Sequence, residues 1–291
     1  MPRAKLIWQS KLILLLTLPV AAAGVVLEAH WWFTQSPPVA IWTIGLGLVF
    51  ALIAFNLRAA DAAGAAAGAI LTADLMFSTT TFPYEPWLTA LVPVLALFLL
   101  SFAATRLGKE KKERLGVAER RQGRSAAQVA ANLGVATLVS NQFAQNLLAG
   151  SRWVSDATVW ATPLFAAATA ALAEAAADTV SSEAGQVLGG QPRLITTWKQ
   201  VEPGRDGAVS LAGTLAGVIT AGLVAAAGAL AFHGSLRFFA VSCGGGIFGF
   251  LFDSLLGATL EERGWLNNDA VNFLSSACAA ALTLVLMAVA G

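Results

Sequence analysis

Apolar runs alternate with short polar stretches along the whole chain, and the length of the runs predicts membrane-crossing helices. Crossing a bilayer takes about 20 mostly apolar residues. Runs of that order cover 12–29, 39–56, 62–80, 87–105, 127–149, 157–179, 208–232, 236–257 and 270–290. The third is alanine-rich and carries Asp74. The fifth holds Gln128, Asn132, Asn141, Gln142, Gln145 and Asn146, a density of amides that suits either a helix buried inside a bundle or a surface helix that does not cross. At the N-terminus, Arg3, Lys5 and Lys11 precede Leu12–Leu18, Pro19 and three alanines. That pattern resembles a cleavable signal peptide. The hydrophobic runs that follow favour an uncleaved first span.

Composition agrees with a membrane protein: 57% hydrophobic and 12% charged, with a mean hydropathy of +0.69. Soluble chains carry about 25% charged residues. Cys243 and Cys278 both lie inside apolar runs and read as small hydrophobes, with no disulfide framework. No nucleic-acid partner is expected.

The placement of charge then fixes a topology. With nine spans and a cytoplasmic N-terminus, the inner segments are 1–11, 57–61, 106–126, 180–207 and 258–269. They hold all 18 Lys and Arg residues except Arg152 and Arg237, as the positive-inside rule requires. The expectation is therefore an all-α, polytopic integral membrane bundle of about nine spans, N-terminus cytoplasmic and C-terminus outside. Residues 1–57 form two peripheral spans, and 58–291 form a membrane-embedded catalytic domain with cytoplasmic loops 106–126, 180–207 and 258–269.

The same topology gathers the polar clusters on one face. Glu174, Asp178 and Glu183 close span six, Asp253 and Ser254 close span eight, and Asn267, Asn268, Asp269 and Asn272 open span nine. Both histidines, His30 and His233, fall on the other side. Glu174 and Asp178 are four apart and share a helix face. Solvated helix ends would explain them, but Glu174 lies about one turn inside the membrane edge, where a carboxylate costs on the order of 2.5–3.5 kcal/mol. Such acids are functional suspects. With Asp253 and Asp269 they supply the hard oxygens that suit Mg²⁺, which binds through one or two carboxylates plus substrate phosphates.

The loop from Arg106 through Lys109, Lys111, Lys112, Arg114, Arg120 and Arg121 to Arg124 carries eight cations. It reads either as a topology anchor against anionic lipid or as a clamp for polyphosphate oxygens. Pro203-Gly-Arg-Asp-Gly207 is a turn by composition. Flanked by Arg193, Thr196, Thr197, Lys199 and Ser210, it could present N–H groups to an anion at the start of span seven; no P-loop motif is present. Gly64-x-x-x-Gly68, Gly213-x-x-x-Gly217 and Gly245-x-x-x-Gly249 read as packing seams. Gly244-Gly245-Gly246 adds the alternative of a local break or a cofactor-width groove. With no histidine on the acidic face, chemistry that needs little deprotonation is favoured, such as attack by an already ionised phosphate.

Several strings resemble a known family. These are Arg106-Leu-Gly-x-x-Lys-Lys112, Gln128-Val-x-Ala-Asn132, Ala177-Asp-Thr-x-x-Ser-Glu-x-Gly185, Pro192-Arg-x-Ile-Thr-Thr197, Val201-x-Pro-Gly-x-x-Gly-Ala-Val-Ser210, Asp253-Ser-Leu-Leu-Gly-Ala258 and Asn268-Asp-x-x-Asn-Phe273. Together they resemble the transmembrane-protein-19 / phytyl-phosphate kinase family from about residue 58 to the C-terminus. That family is similar in layout to CTP-using membrane kinases and cytidylyltransferases. The resemblance implies phosphoryl transfer from a nucleoside triphosphate, CTP favoured, to a phytyl or prenyl monophosphate. With the acids and the charge topology above, the expectation is Mg²⁺ dependence and an active site facing the cytoplasm in a bacterial-type cytoplasmic membrane.

The expected catalytic residues are Asp178, Glu183, Asp253 and Lys199, and the expected metal ligands Asp178, Glu183, Asp253 and Asp269. Nucleotide contacts are expected at Arg106, Lys109, Lys112, Arg121, Gln128, Asn132, Thr196 and Gly204. Lipid-phosphate contacts are expected at Glu174, Ser182, Ser254, Asn268 and Asn272, with the tail among spans six to nine. Two alternatives stand beside this reading. One is a CDP-lipid-forming cytidylyltransferase, although the chain lacks the Pro-Gly-His-Gly-Gly histidine and the Asp-Arg-x-Asp ending of those enzymes. The other is a transporter or scramblase, for which Asp74 would be the deep acid.

Overall fold

The structure, a computed structural model, describes residues 7–109, 111–112, 123–142, 145 and 157–289, with the backbone alone for 157–160. Among the described residues there are nine α-helices: α1 (Ile7–Gln35), α2 (Pro37–Asn56), α3 (Ala62–Ser78), α4 (Leu91–Arg106), α5 (Ala126–Ser140), α6 (Ala157–Leu188), α7 (Leu211–Ala231), α8 (Leu236–Leu256) and α9 (Asn268–Val289). A two-stranded antiparallel ribbon, β1 (Arg193–Leu194) with β2 (Ala208–Val209), lies between α6 and α7.

Six helices are long and apolar enough to cross a membrane: α1, α2, α6, α7, α8 and α9. At 17, 16 and 15 residues, α3, α4 and α5 are shorter. At 1.5 Å per residue they span about 22–26 Å, against a hydrocarbon core of about 30 Å. The boundaries follow local chemistry. Asp61 caps α3 by accepting from Gly64 N at 2.7 Å. Ser125 and Gln128 form a reciprocal capping box at the start of α5. Ser210 and Ser235 cap α7 and α8. α5 stops at Ser140, short of the expected 149, because Asn141 turns extended. α6 runs on to Leu188, which puts Glu183 inside the helix rather than in the following loop.

Contacts at the helix ends show that the helices alternate in direction. At one end, Arg106 Nη2 donates to Leu57 O at 2.9 Å, and the backbones of Ala60 and Arg124 pair. Lys112 Nζ meets Glu183 Oε2 at 2.6 Å, and Arg205 pairs with Glu262. Gln9 Nε2 donates to Trp265 O at 2.8 Å and Ser10 Oγ to Asp269 Oδ2 at 2.5 Å. At the opposite end Thr43 and Tyr84 bond through their hydroxyls at 2.9 Å. There too, Phe165, Phe232 and Phe238 pack in series, and Arg237 Nη2 donates to Met287 O at 2.7 Å. Exposed tryptophans mark both ends, Trp8, Trp198 and Trp265 at the first and Trp31 and Trp87 at the second, as expected at membrane–water interfaces.

The centre is α6, which packs on α4, α5, α7, α8 and α9. Its alanines from Ala166 to Ala177 are buried, and small side chains are what let five neighbours approach one helix. The three glycine pairs are packing seams. Gly213 lies against Ser181 O of α6, Gly64 against Arg124 O, and Gly245 against Thr283 and Ala279 of α9. α8 passes through Gly244-Gly245-Gly246 as an unbroken helix, so the expected alternative of a break there is not realised. α5 is buried from Ala130 to Thr137, which selects the bundle-interior alternative. α1 is tied into the bundle through Gln9, Ser10 and the contact of Thr17 with Gly134.

One polar brace crosses this apolar interior. Asp74 of α3 is fully buried, and Asn141 Nδ2 reaches both of its oxygens at 3.0 and 2.8 Å. Gly24 of α1 leaves the room, since a Cβ there would overlap Asp74 Oδ1. Asn141→Leu should lower stability by about 2–3 kcal/mol, because it strands a buried polar group. The double change Asp74→Leu/Asn141→Leu should recover part of the loss. Thermal unfolding in detergent checks both; equal destabilisation by the single and the double variant would contradict the brace.

Candidate functional site

The helical spacing of Glu174 and Asp178 puts both on one stripe of α6, and that stripe faces Asp253 of α8 and Ser275 and Ser276 of α9. Ser275 Oγ lies 2.8 Å from Glu174 Oε1 and 3.0 Å from Asp253 Oδ2. Ser276 Oγ donates to Glu174 Oε2. The carboxyls of Asp178 and Asp253 lie close enough to interact. Glu174 is 1% exposed and is the floor of the cluster, while Asp178 and Asp253 are half-buried above it. The approach is close because α8 has glycine where it meets Glu174: a Cβ on Gly249 would stand 2.5 Å from Glu174 Cγ. α8 then ends in one π-helical turn, Gly257–Glu261, a distortion frequent at functional sites.

Two carboxyls in contact share either a proton or a cation. The single hydroxyl proton of Ser275 cannot serve Glu174 and Asp253 together. Among the described residues, no three His, Cys, Asp or Glu side chains converge to hold a metal ion unaided. Asp178 and Asp253 therefore offer two carboxyls, a donor set that a hard cation completes with phosphate oxygens and water.

Beside this cluster, on the far side of Arg124, opens a cavity of about 590 Å³ between α2, α3, α4 and α5. Its deep wall is apolar, formed by Phe50, Val94, Leu97, Phe98 and Leu133. Every charged residue of its lining is a cation: Arg58, Arg106, Lys109, Lys112 and Arg124. Two residues sit at the seam between acid and base. Arg124 lines the cavity, donates to Thr179 Oγ1 of α6 at 3.2 Å and lies within electrostatic reach of Asp178. Asn132 lines the cavity and accepts from Asn272 Nδ2 of α9 at 3.1 Å.

Of the residues expected from the sequence, Glu174, Asp178 and Asp253 meet. Asn272 joins them through Ser275, whose Oγ lies 3.0 Å from Asn272 O, and Arg106, Lys109, Lys112 and Asn132 line the cavity. The four expected metal ligands do not form one group. Glu183 points to Lys112 Nζ, which is itself buried and bound to the carbonyls of Ala104 and Thr105. Asp269 is held by Ser10 at α1. Gln128 is spent on the capping box. Ser254 Oγ turns back to Phe250 O at 3.3 Å. Ser182 and Asn268 are exposed. Thr196, Lys199 and Gly204 sit on or beside the exposed ribbon and do not line the cavity. Arg121 lies outside the described residues. The cavity lies among α2–α5, not among spans six to nine where the tail was expected.

Three contributors, Arg58, Ser275 and Ser276, were not singled out from the sequence, and Arg124 stood there only as one of eight loop cations, a topology anchor or a polyphosphate clamp. Arg58 looked like a further topology charge. Ser275 and Ser276 stand three and four residues after Asn272, on its own helix face, and that spacing was the available signal.

Comparisons with known proteins place the chain in a family. A family model described as "Integral membrane protein DUF92" matches residues 45–280. "Uncharacterized membrane protein MJ0933" of Methanocaldococcus jannaschii is 37% identical over 186 residues, 64% of this chain and 71% of the relative. "Uncharacterized membrane protein sll0875" of Synechocystis is 34% identical over 205 residues, 68% and 73% of the two chains. "Protein VTE6, chloroplastic" of Arabidopsis thaliana is 31% identical over 225 residues, 73% of this chain and 62% of the relative. No solved structure matches. The chain belongs to the DUF92 family of integral membrane proteins, the family of the transmembrane-protein-19 and phytyl-phosphate kinase proteins that its motifs resemble.

Proposed function

We propose that this protein transfers the γ-phosphoryl group of a nucleoside triphosphate, CTP favoured, to the monophosphate of a phytyl or prenyl lipid. The observation that carries this reading is the junction at Arg124, where a carboxyl cluster meets a cation-rimmed apolar cavity. One side suits a metal–polyphosphate and the other a lipid with an anionic head, and membership of the phytyl-phosphate kinase family supplies the reaction class.

The site belongs to the end of the bundle that carries the cations Arg58, Arg106, Lys109, Lys111, Lys112, Arg124, Arg193, Lys199, Arg205 and Arg263. By the positive-inside rule that end faces the cytoplasm. Together with the alternating helices, that rule supports the reading of nine crossings with an inner N-terminus and an outer C-terminus. The acids gather at this end, and the one deep acid, Asp74, is braced by Asn141. That distribution favours an enzyme over a transporter.

Asp178 and Asp253 would hold Mg²⁺, which when bound neutralises and orients the transferring phosphate. Glu174, bound by two serines, fixes the position of the pair from below. Arg124 and the rim cations balance the charge of the incoming phosphates and stabilise the charge that develops on the transferring group. An oxygen of the lipid phosphate attacks the γ-phosphorus. The bond from that phosphorus to the β–γ bridging oxygen breaks, and the nucleoside diphosphate leaves with its electron pair. The acceptor is already ionised near neutral pH, its second pKa being about 6, so no general base is required.

Asp178→Asn and Asp253→Asn should each lower turnover by about 10²–10³-fold without lowering the unfolding temperature. Full turnover in both would contradict the assignment. The rate should rise with pH through about 6 as the acceptor gains its second charge, then stay level to about pH 9. A further rise above pH 7, measured as kcat/KM against pH, would instead reveal a catalytic base.

A further inference from the structure

The cavity has an opening that the reaction alone does not require. α4 packs on α6 and α7, whereas α2 packs on α1 and α3. At the mouth Arg106 bonds to Leu57 O; within the bundle α2 meets α4 through aromatics, Phe50 and Phe98 edge to face with centroids 5.0 Å apart and Phe98 stacked on Phe102 at 5.7 Å. Exposed Leu52, Ile53, Phe55 and Leu99 flank this seam, so the cleft between α2 and α4 borders the lipid phase rather than protein. From Arg106 down to Val94 the lining of α4 descends twelve residue steps, about 18 Å of depth at about 1.5 Å each. That reaches from the interface past the middle of a hydrocarbon core about 30 Å thick.

The polar groups in the cleft are graded with depth. Arg58, Arg106 and Lys109 stand at the mouth. Arg58 is held at φ 55°, a left-handed conformation that costs a non-glycine residue free energy and concentrates at functional sites. Below them Ser101 is 4% exposed, lines the cleft, and its Oγ has no hydrogen-bond partner. Among the described residues the hydroxyls of Thr72, Ser78, Thr169 and Thr283 also lack a partner, and of these five only Ser101 lines the cleft. It lies five residues before Arg106 on α4, about 7.5 Å along the helix, and beyond it α4 lines the cleft with the apolar Phe98, Leu97 and Val94.

Resting on the kinase reading of the adjoining site, we propose that the α2–α4 cleft is a lateral entry and binding slot for a single-chain lipid monophosphate. The Phe50–Phe98 pair limits its tail, and the slot excludes two-chain phosphatidic acid. At roughly 30 Å³ for each water-sized group, the cavity holds about 20 non-hydrogen atoms. That accommodates a phosphate and one tail of about 15 carbons, with longer chains emerging between α2 and α4. The two acyl chains of a membrane phosphatidic acid together exceed that volume. The rim could equally attract the phosphates of a nucleotide, and the competition arms below separate the two sources.

The test uses the full-length protein in lipid nanodiscs and a 15-carbon prenyl monophosphate carrying a diazirine at the tail end, with cross-linked peptides read by mass spectrometry. Label is expected on the 94–102 segment of α4 and near Phe50. Unlabelled prenyl monophosphate should displace it, whereas phosphatidic acid, inorganic phosphate and CTP should not. Gly68→Leu, which projects into the slot near Val129, should weaken labelling roughly tenfold, the loss expected from crowding out two methylenes. Phe98→Ala should shift preference toward longer tails. Label on α6–α9, displacement by CTP alone, or insensitivity to both variants would overturn the slot. Labelling needs no turnover. A labelled cleft in a protein without transferase activity would sustain the slot and sink the kinase reading; transfer with label elsewhere would do the reverse.

Discussion

Holding three carboxyl groups together at the edge of hydrocarbon is the constraint on which the rest of the bundle depends. Each ionised acid there costs on the order of 2.5–3.5 kcal/mol, and mutual repulsion adds to it. The structure offsets this locally: Ser275 and Ser276 supply hydroxyls, Arg124 supplies positive charge, and Gly249 removes the side chain that would push Glu174 out of register. The alanine surface of α6 follows from the same need, since α8 and α9 reach the acids only if nothing large separates the helices. The chemistry and the packing of the core share their residues.

The cluster is also fixed from outside. Lys112 is buried against Glu183 and two carbonyls of α4, so the segment after α4 is pinned to α6 one turn beyond Asp178. A buried ion pair of this kind contributes little net stability, yet removing one partner is costly; its value here is positional. Asn132 and Asn272 do the same between α5 and α9. The cationic cavity and the acidic cluster are thereby held at a set distance by α5 and α6, with Arg124 between them.

The helical class and the gathering of polar groups at one end were legible in the sequence because both are one-dimensional signals. The length of an apolar run and the side on which cations fall need no knowledge of packing. The pairing of Glu174 with Asp178 was legible for the same reason, helical spacing being fixed. What could not be read was pairing between distant helices. Glu183 looked equivalent to Asp178 until Lys112 was seen to occupy it, and Asp269 looked like a ligand until Ser10 of α1 met it. Gln128, within a family motif, turned out to cap α5. The cavity was invisible because it is a gap between α2 and α4, and a gap leaves no mark along either strand of sequence. Arg58 was hidden in a two-residue turn where its charge had a sufficient topological explanation.

The central claim is that a phosphoryl group, and not a nucleotidyl group, passes to a lipid phosphate at the carboxyl cluster. Incubating the purified protein with Mg²⁺, a 20-carbon prenyl monophosphate and CTP labelled separately at its α- and γ-phosphates measures this directly. The account predicts a prenyl diphosphate that carries label from the γ-position only, with CDP as the other product. Label from the α-position in the lipid, with release of pyrophosphate, would contradict it, as would a lipid that gains no label from either.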